Sequence, residues 1–514
     1  MIHMLKGKRA RVLRKATITA SAIGIALAGA ACNTDNLVAV QDPATLRPED
    51  LNNLGSVPAL VNGALRQFIG GYSGFGDDSF LSASGVISDE LYYGDTFPTR
   101  QAADSRILQP TVLGNISDAS FSRLQQARFN ARRAFGVVTS FSSALTASAD
   151  SATKAQLRAI EGYVYVTLSE GWCGDVPFSV LPDVGLIDPT QAVGGVGLTT
   201  SQMNDTAVAR FNEGLLNNAA NRLAAIGKGR ALLNQGNFAA AAAAVAAVPT
   251  NYVFLLQHSQ NTGAENNPMA SLMLNGRYGV ANLEGGLTAA GAAVRTDTIS
   301  GSVAPGGSAE GLNFRGALDI RVPWEPKPTN GNCFSSAIKC KLNDNYPNFD
   351  ADVPVASGVE ARLIEAEAAL NAPVSDPVTM MAKLNALRAS SASLLIGLYP
   401  GSTPTNAFKT NGAPNGLAPL ADPADPTTSP ATQYAARRDL LFRERAFWLF
   451  NTGHRQGDLR RLARAPYNLA TSAVFPSGLF FRGGSYGNDV NYPIPFAEQN
   501  NTAFNPAACN TTTP

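Results

Sequence analysis

One run of residues constrains this fold more than any other: Arg443-Glu444-Arg445-Ala446-Phe447-Trp448-Leu449-Phe450-Asn451-Thr452-Gly453-His454-Arg455-Gln456-Gly457-Asp458-Leu459-Arg460-Arg461. Charged and large apolar side chains are interleaved within it. Trp448, Leu449 and Leu459 are expected to face a core, and they take their charged neighbours with them. On a helix Arg455 and Asp458 stand at i, i+3 and can pair. Two readings fit. The run could form an anion site, or it could be a buried network of paired charges that fixes one helix arrangement; the second is preferred.

The rest of the chain supplies enough apolar material to bury such a network. Of 514 residues, 45% are hydrophobic and 15% charged, which excludes a disordered chain. Glycine (47) and proline (31) show no collagen-like period. Length alone allows several domains, or one large helical domain with insertions. With 40 basic and 39 acidic residues, net charge +1 leaves no footprint for nucleic acid.

The charge is unevenly spread. Lys6, Lys8, Arg9, Arg11, Arg14 and Lys15 precede an uncharged apolar run over 16–31, and no acid occurs before Cys32. A basic start, an apolar run and small residues are the parts of a secretory signal, and the run is short for a membrane span of roughly 20 residues. Cys32 follows at once, as in a lipobox, although Gly29 stands where leucine is usual. Residues 1–31 therefore read as a signal peptide. Cys32 reads as the acylated N-terminus of a lipid-anchored chain, and 33–48 as its polar tether.

An exported chain can form disulfides. Cys333 and Cys340 lie seven apart in a loop-like stretch and are expected to pair, leaving Cys173 for Cys509. A metal site is the weaker reading, because there is no C-x-x-C and only three histidines. No metal or cofactor is expected.

Apolar spacing predicts helices over 49–70 and 119–144, and a helix opened by a capping box at Thr153–Gln156 that ends at Gly171. Residues 70–118 read as irregular. Residues 206–248 read as an alanine-rich helical hairpin, compatible with a tetratricopeptide unit or with any alanine-rich pair. Residues 250–357 read as a loop-rich insertion with short strands, too long to be idle and hence a candidate binding surface. Helix returns at 358–372, 376–390 and 432–464, and the chain from 465 is irregular.

Catalytic signals are weak. Gly483-Gly484-Ser485-Tyr486-Gly487 matches G-x-S-x-G, but no helix pattern and no histidine follow it. His258 and His454 are far apart in sequence, and His258 reads as a satisfied loop histidine. Asp89 with Glu90 reads as local hydrogen bonding, and Glu365 with Glu367 do not share a helix face. The chain is not read as an enzyme.

The Arg443–Arg461 run resembles the signature helix of the SusD/RagB family of outer-membrane nutrient-binding lipoproteins, through Glu444-Arg445, Gly453-x-Arg455 and Asp458-Leu459-Arg460-Arg461. Other segments are similar to family elements in the same order. They are GVISDELYYGDT (85–96), RFNARRAF (128–135), RAIEGYVYVTLSEGWCGDVPF (158–178), EARLIEAEAALN (360–371), LNALRA (384–389) and NYPIPFAEQNNTAFNP (491–506). The resemblance implies a mainly α scaffold of tetratricopeptide-like helix pairs with long irregular loops and short strands. It implies one domain over 49–508, with the loop-rich insertion near 250–357 and a short tail at 509–514. It also implies capture of an oligosaccharide or peptide and its transfer to a SusC-type TonB-dependent barrel, without covalent chemistry.

Family ligand contacts come from the early irregular segment and the insertion. That places Tyr92, Tyr93, Phe97, Arg100 and Trp324 as candidate contacts, while Glu444, Arg445, Arg455, Asp458 and Arg460 form the structural motif. The competing expectation is a tetratricopeptide-type envelope scaffold that binds proteins.

Overall fold

The computed structural model describes residues 51–501 and 504–514, apart from 180–193, 196, 282–311, 313, 316, 318, 328–330, 337, 339 and 403–416. Cys32, the signal segment and the tether lie outside the described residues. Helix α1 (Val57–Tyr72) starts with proline in its first turn and buries Leu60, Ala64 and Phe68. The stretch 70–118 is not all irregular. It contains α2 (Phe80–Ile87), β1 (Leu91–Tyr93) and α3 (Pro98–Asp104). Every residue of α2 is buried, so it has no polar face and no amphipathic period to read. Its start is fixed by a capping box between Ser79 and Ser82.

Helix α4 (Asp118–Ser140) lies against α1, and α5 (Ala147–Gly171) against α4. The N-cap of α5 is Thr146, whose side chain accepts from Ala149 N, so the capping box expected at Thr153 falls inside the helix. Strands β2 (Val176–Pro177) and β3 (Gly197–Leu198) pair beyond it. The expected hairpin over 206–248 is three helices: α6 (Thr200–Asn217), α7 (Arg222–Asn234) and α8 (Phe238–Val245). The break falls where Asn221 caps α7 by accepting from Ala224 N at 2.8 Å. Phe211 of α6 is wedged where α5 and α7 both carry glycine. A Cβ at Gly162 or Gly227 would lie 2.6 or 2.3 Å from its ring.

The insertion contributes β4 (Val253–Leu256), α9 (Pro268–Leu274), β5 (Tyr278–Val280), β6 (Trp324–Pro326), β7 (Lys341–Asn343) and β8 (Val353–Ser357). All strand pairs are antiparallel: β1 with β5, β2 with β3, β4 with β8 and β6 with β7. Strand β8 runs directly into α10 (Gly358–Leu370), capped by Ser357. Then follow α11 (Pro377–Ala389), α12 (Ser391–Leu398), α13 (Pro430–Trp448), α14 (Arg455–Ala463) and α15 (Thr471–Val474). Successive helices pack on one another from α4 to α8, α8 packs on α10, and α10 packs on both α11 and α13. This is a mainly α, tetratricopeptide-like array. No helix among the described residues is long and apolar enough to cross a membrane.

Its core is held by charge as well as by apolar contact. The single helix expected over 432–464 is broken between α13 and α14, where Asn451 and Gly453 take positive φ (55° and 79°). Glu444, 0% exposed, accepts from Arg321 at 2.7 Å, Arg388 at 2.8 Å and Arg443 at 3.2 Å. Asp458 accepts from Arg445 and Arg461, partners beyond the Arg455 that the i, i+3 spacing offered. Arg461 also grips Glu367, which accepts from the Tyr467 hydroxyl. Glu170 pairs with Arg230 and accepts from Asn234, and His454 Nε2 lies 3.0 Å from Arg230 and 3.2 Å from Glu360. Arg455 and Arg460 are buried, and Arg460 donates to the Ser169 carbonyl at 2.6 Å. The run of alternating charge and bulk is therefore a buried ionic network, and it ties α5, α7, α10, α11, α13 and α14 together.

Burial alone would push these carboxyls up. For Asp458 the neighbouring Arg445 and Arg461 outweigh it and hold the group well below the usual range. Glu444 is held low in the same way by Arg321 and Arg388. Disulfides join Cys173 to Cys509 and Cys333 to Cys340. The first pins the chain end to the segment after α5.

Candidate functional site

Strand β1 sorts its two tyrosines to opposite faces, as the pleat requires. Tyr93 turns inward, packs its ring 5.3 Å from that of Tyr278, and is 2% exposed. It is therefore a core residue and not a ligand contact, a correction to the expectation for this position. Tyr92 turns to the other face and lies over Gly279 of β5, where a Cβ would sit 2.4 Å from the tyrosine hydroxyl. Its hydroxyl accepts from Lys341 N at 3.1 Å, and its ring meets the edge of Phe481 at 5.8 Å. At 8% exposure Tyr92 forms the floor of a surface rather than its contact face.

The exposed rings lie around that floor. Phe97, 52% exposed, precedes α3. Phe334, 58% exposed, rides on the loop closed by Cys333–Cys340. That loop is docked on β1 and β5 by hydrogen bonds from Phe334 N to the Gly276 carbonyl (2.9 Å) and from Ser335 N to the Gly94 carbonyl (3.0 Å). Arg277 lies between the two rings, 5.7 Å from Phe97 and 4.9 Å from Phe334, and is held by an ion pair to buried Asp95. Arg482 donates to the Tyr93 and Asp95 carbonyls and stands 5.4 Å from the half-exposed Phe481 ring.

On the far side, Trp324 is half-buried in β6. Its Nε1 donates to the Arg315 carbonyl at 3.2 Å, and Lys341 Nζ and the Arg315 guanidinium lie 5.5 and 5.9 Å from its ring. Arg100 takes a structural part: it pairs with Asp78 at 2.7 Å and donates to the Gly114 carbonyl, while Tyr278 donates to the same Asp78.

An unbroken chain of contacts thus runs from Phe97 through Arg277, Asp95, Arg482, Phe481, Tyr92 and Lys341 to Trp324. The two regions expected to carry ligand contacts are brought together by the β1–β5 pairing and the β6–β7 ribbon. Phe334, Phe481, Arg277 and Arg482 were not expected. An aromatic next to a short-loop cysteine, and Phe480-Phe481-Arg482 before a double glycine, are the signals that could have found them.

Chemically the surface offers ring faces for stacking and guanidinium and ammonium groups for hydrogen bonds. Reactive groups are spent elsewhere. Asp89 accepts from the Tyr486 hydroxyl and Glu90 from Asn451 N, and both are buried. Glu365 pairs with Arg362 and Lys383, while Glu367 faces Arg461. Ser485 forms an isolated antiparallel bridge with Leu479, and no helix directly follows it. Among the described residues no group of three or more His, Cys, Asp or Glu side chains is placed to hold a metal.

A separate cleft of about 1160 Å³ lies between α1 and the segments flanking β4 and β8. His258 lines it, with Nδ1 facing the Glu265 carbonyl at 3.1 Å and Nε2 facing Ser73 at 2.9 Å. A carbonyl only accepts, so the neutral ring carries its proton on Nδ1. Burial pushes the imidazole down to about 4. The cleft is lined mainly by amides, carboxylates, Arg66 and His258, with no phenylalanine, tyrosine or tryptophan among its lining residues.

No known family model matches the chain, and no curated protein is similar to it in sequence. Solved structures are similar in fold. A SusD-like carbohydrate binding protein from Bacteroides vulgatus has 15% identity and a TM-score of 0.53, with 80% of this chain and 83% of that chain covered. NanU of B. fragilis has 12% identity and a TM-score of 0.52, with coverage of 90% and 98%. A SusD superfamily protein from Bacteroides thetaiotaomicron has 12% identity and a TM-score of 0.52, with coverage of 83% and 95%. Likeness across most of both chains shows that this chain shares its fold with these SusD-like structures.

Proposed function

We propose that this chain is a SusD-like nutrient-capture lipoprotein of the outer membrane. It binds an oligosaccharide on the Phe97–Phe334–Phe481 surface, is anchored through acylated Cys32, and passes its ligand to a TonB-dependent barrel of the SusC type. It performs no covalent step. The observation that carries the reading is the exposure of three rings on one cation-flanked surface, where a soluble protein has no packing reason to leave them. Aromatic faces stack on the apolar faces of pyranose rings, and half-exposed Trp324 extends the same surface. One structural neighbour is described as carbohydrate-binding, which favours a glycan over a peptide.

Calorimetry of the mature chain against an oligosaccharide panel tests the reading. Phe97→Ala with Phe334→Ala should weaken every ligand that binds by about tenfold or more, that is about 1.4 kcal/mol. Unchanged affinity would remove the surface from consideration. Purification in mild detergent should recover a TonB-dependent barrel and an acylated Cys32; recovery of chaperones or assembly proteins instead would favour the scaffold reading.

A further inference from the structure

The aromatic surface carries more cations than stacking on a neutral sugar requires. Among the described residues five flank its rings: Arg100, Arg277, Arg482, Arg315 and Lys341. Asp95 is 0% exposed and is committed to Arg277. Arg315 has no ion pair among the described residues, and its Nε is buried without a hydrogen-bond partner. Arg482 is anchored by backbone carbonyls rather than by a carboxylate, and its Nε is likewise unsatisfied. Burying cations without counter-charge is costly unless something else supplies the charge.

Two other acids nearby, Asp78 and Asp104, form no ion pair with Arg315 or Arg482 among the described residues. Arg100 balances Asp78. Asp104 is fully buried, and burial, followed by the charge of Asp89, pushes its carboxyl well above the usual carboxylate range. Burial lowers both Arg315 and Arg482, and it outweighs the opposing pull of Tyr92 on the first and of Asp104, Tyr93 and Asp95 on the second.

We infer that the ligand of this surface is an acidic oligosaccharide, whose carboxylate or sulfate groups meet Arg315 and Arg482 while its rings stack on Phe97, Phe334 and Phe481. The inference rests on the capture reading and narrows it to anionic glycans. Guanidinium matches both carboxylate and sulfate, so the two sources share one recognition chemistry.

The test is calorimetry of the mature chain with hexamers of galacturonate, of methyl-esterified galacturonate, of a sulfated galactan and of a neutral galactan. At low salt at least one of the two acidic hexamers should bind about tenfold or more tightly than the neutral one, and the advantage should shrink as salt is raised to about 0.5 M. If the uronate is the one preferred, esterification, which removes charge and keeps the ring, should abolish its advantage; if only the sulfated hexamer is preferred, the source is sulfate. Arg315→Gln and Arg482→Gln should each lower the ratio of acidic to neutral affinity by about fivefold. Equal or tighter binding of the neutral hexamer overturns the inference and leaves capture standing, provided that binding is lost in the Phe97→Ala, Phe334→Ala chain. A salt-insensitive preference also overturns it. Binding of no oligosaccharide, neutral or acidic, would sink the capture reading and this inference together.

Discussion

Glu444 receives hydrogen bonds from three guanidiniums, and Asp319 is the other carboxylate that reaches Arg321. Replacing it by glutamine keeps the shape but leaves buried cations in excess. Glu444→Gln should therefore cost about 3–5 kcal/mol in urea unfolding, well above a typical surface change. Asp104 is the opposite case. Its folded-state pKa is raised, so its contribution to stability is present at low pH and is lost as pH rises toward the folded value. Asp104→Asn should stabilise the chain by about 1 kcal/mol or more near pH 8, and by less near pH 4.5; equal effects at both would show that Asp104 is ionised in the fold. At this scale the sequence was a fair guide to type and a poor guide to partner. Arg445 and Asp458 were legible as network residues from their setting among large apolar groups. That Asp458 would serve Arg445 and Arg461 follows from the turn at Asn451 and Gly453, which brings α14 back along α13. Tyr93 was misread because two adjacent tyrosines look alike until a strand assigns them opposite faces.

The elements that shape the aromatic surface are small, and the two disulfides act on them differently. Cys333–Cys340 spans 7 residues and Cys173–Cys509 spans 336. Constraint of the unfolded chain grows with loop length, giving about 2–3 kcal/mol for the short loop and about 5–6 for the long one. Serine substitution of Cys173 and Cys509 should lower the thermal midpoint more than substitution of Cys333 and Cys340. The short-loop variant should instead weaken ligand binding, because Phe334 loses its support; calorimetry and melting curves on both variants check this. Long amphipathic helices such as α4 and α10 were legible from their period. The fully buried α2 was not, because no polar face marks it. Nor was the division of 206–248 into three helices, because alanine-rich sequence continues across the break and only the Asn221 cap marks it.

For the molecule as a whole, pH stability follows from carboxyls buried beside arginines. For Asp319, burial would raise the pKa, but Arg321 outweighs it and holds the group down to about 2. Asp458, Glu444 and Glu170 are also held low. Groups depressed on folding contribute stability that is present above their unfolded values and lost as pH falls through the folded ones. His258, lowered from 6.5 to about 4, adds a loss over the same direction of change. The thermal midpoint should therefore fall most steeply below about pH 5, where the unfolded chain's carboxyls take up protons that the folded ones do not; a flat profile from about pH 5 to about pH 3 would mean that these carboxyls are not ionised in the fold.

The sequence by itself determined the mainly α character, the charged core segment and the two cysteine pairs. These depend on local period, residue type and spacing, which a chain carries before it folds. Only tertiary structure decided which carboxylate meets which arginine, and which rings stay exposed. It also decided that Arg277 and Arg482 stand between those rings. Those are contacts between segments hundreds of residues apart, and their geometry exists only once the helices have packed and the strand pairs have set their register.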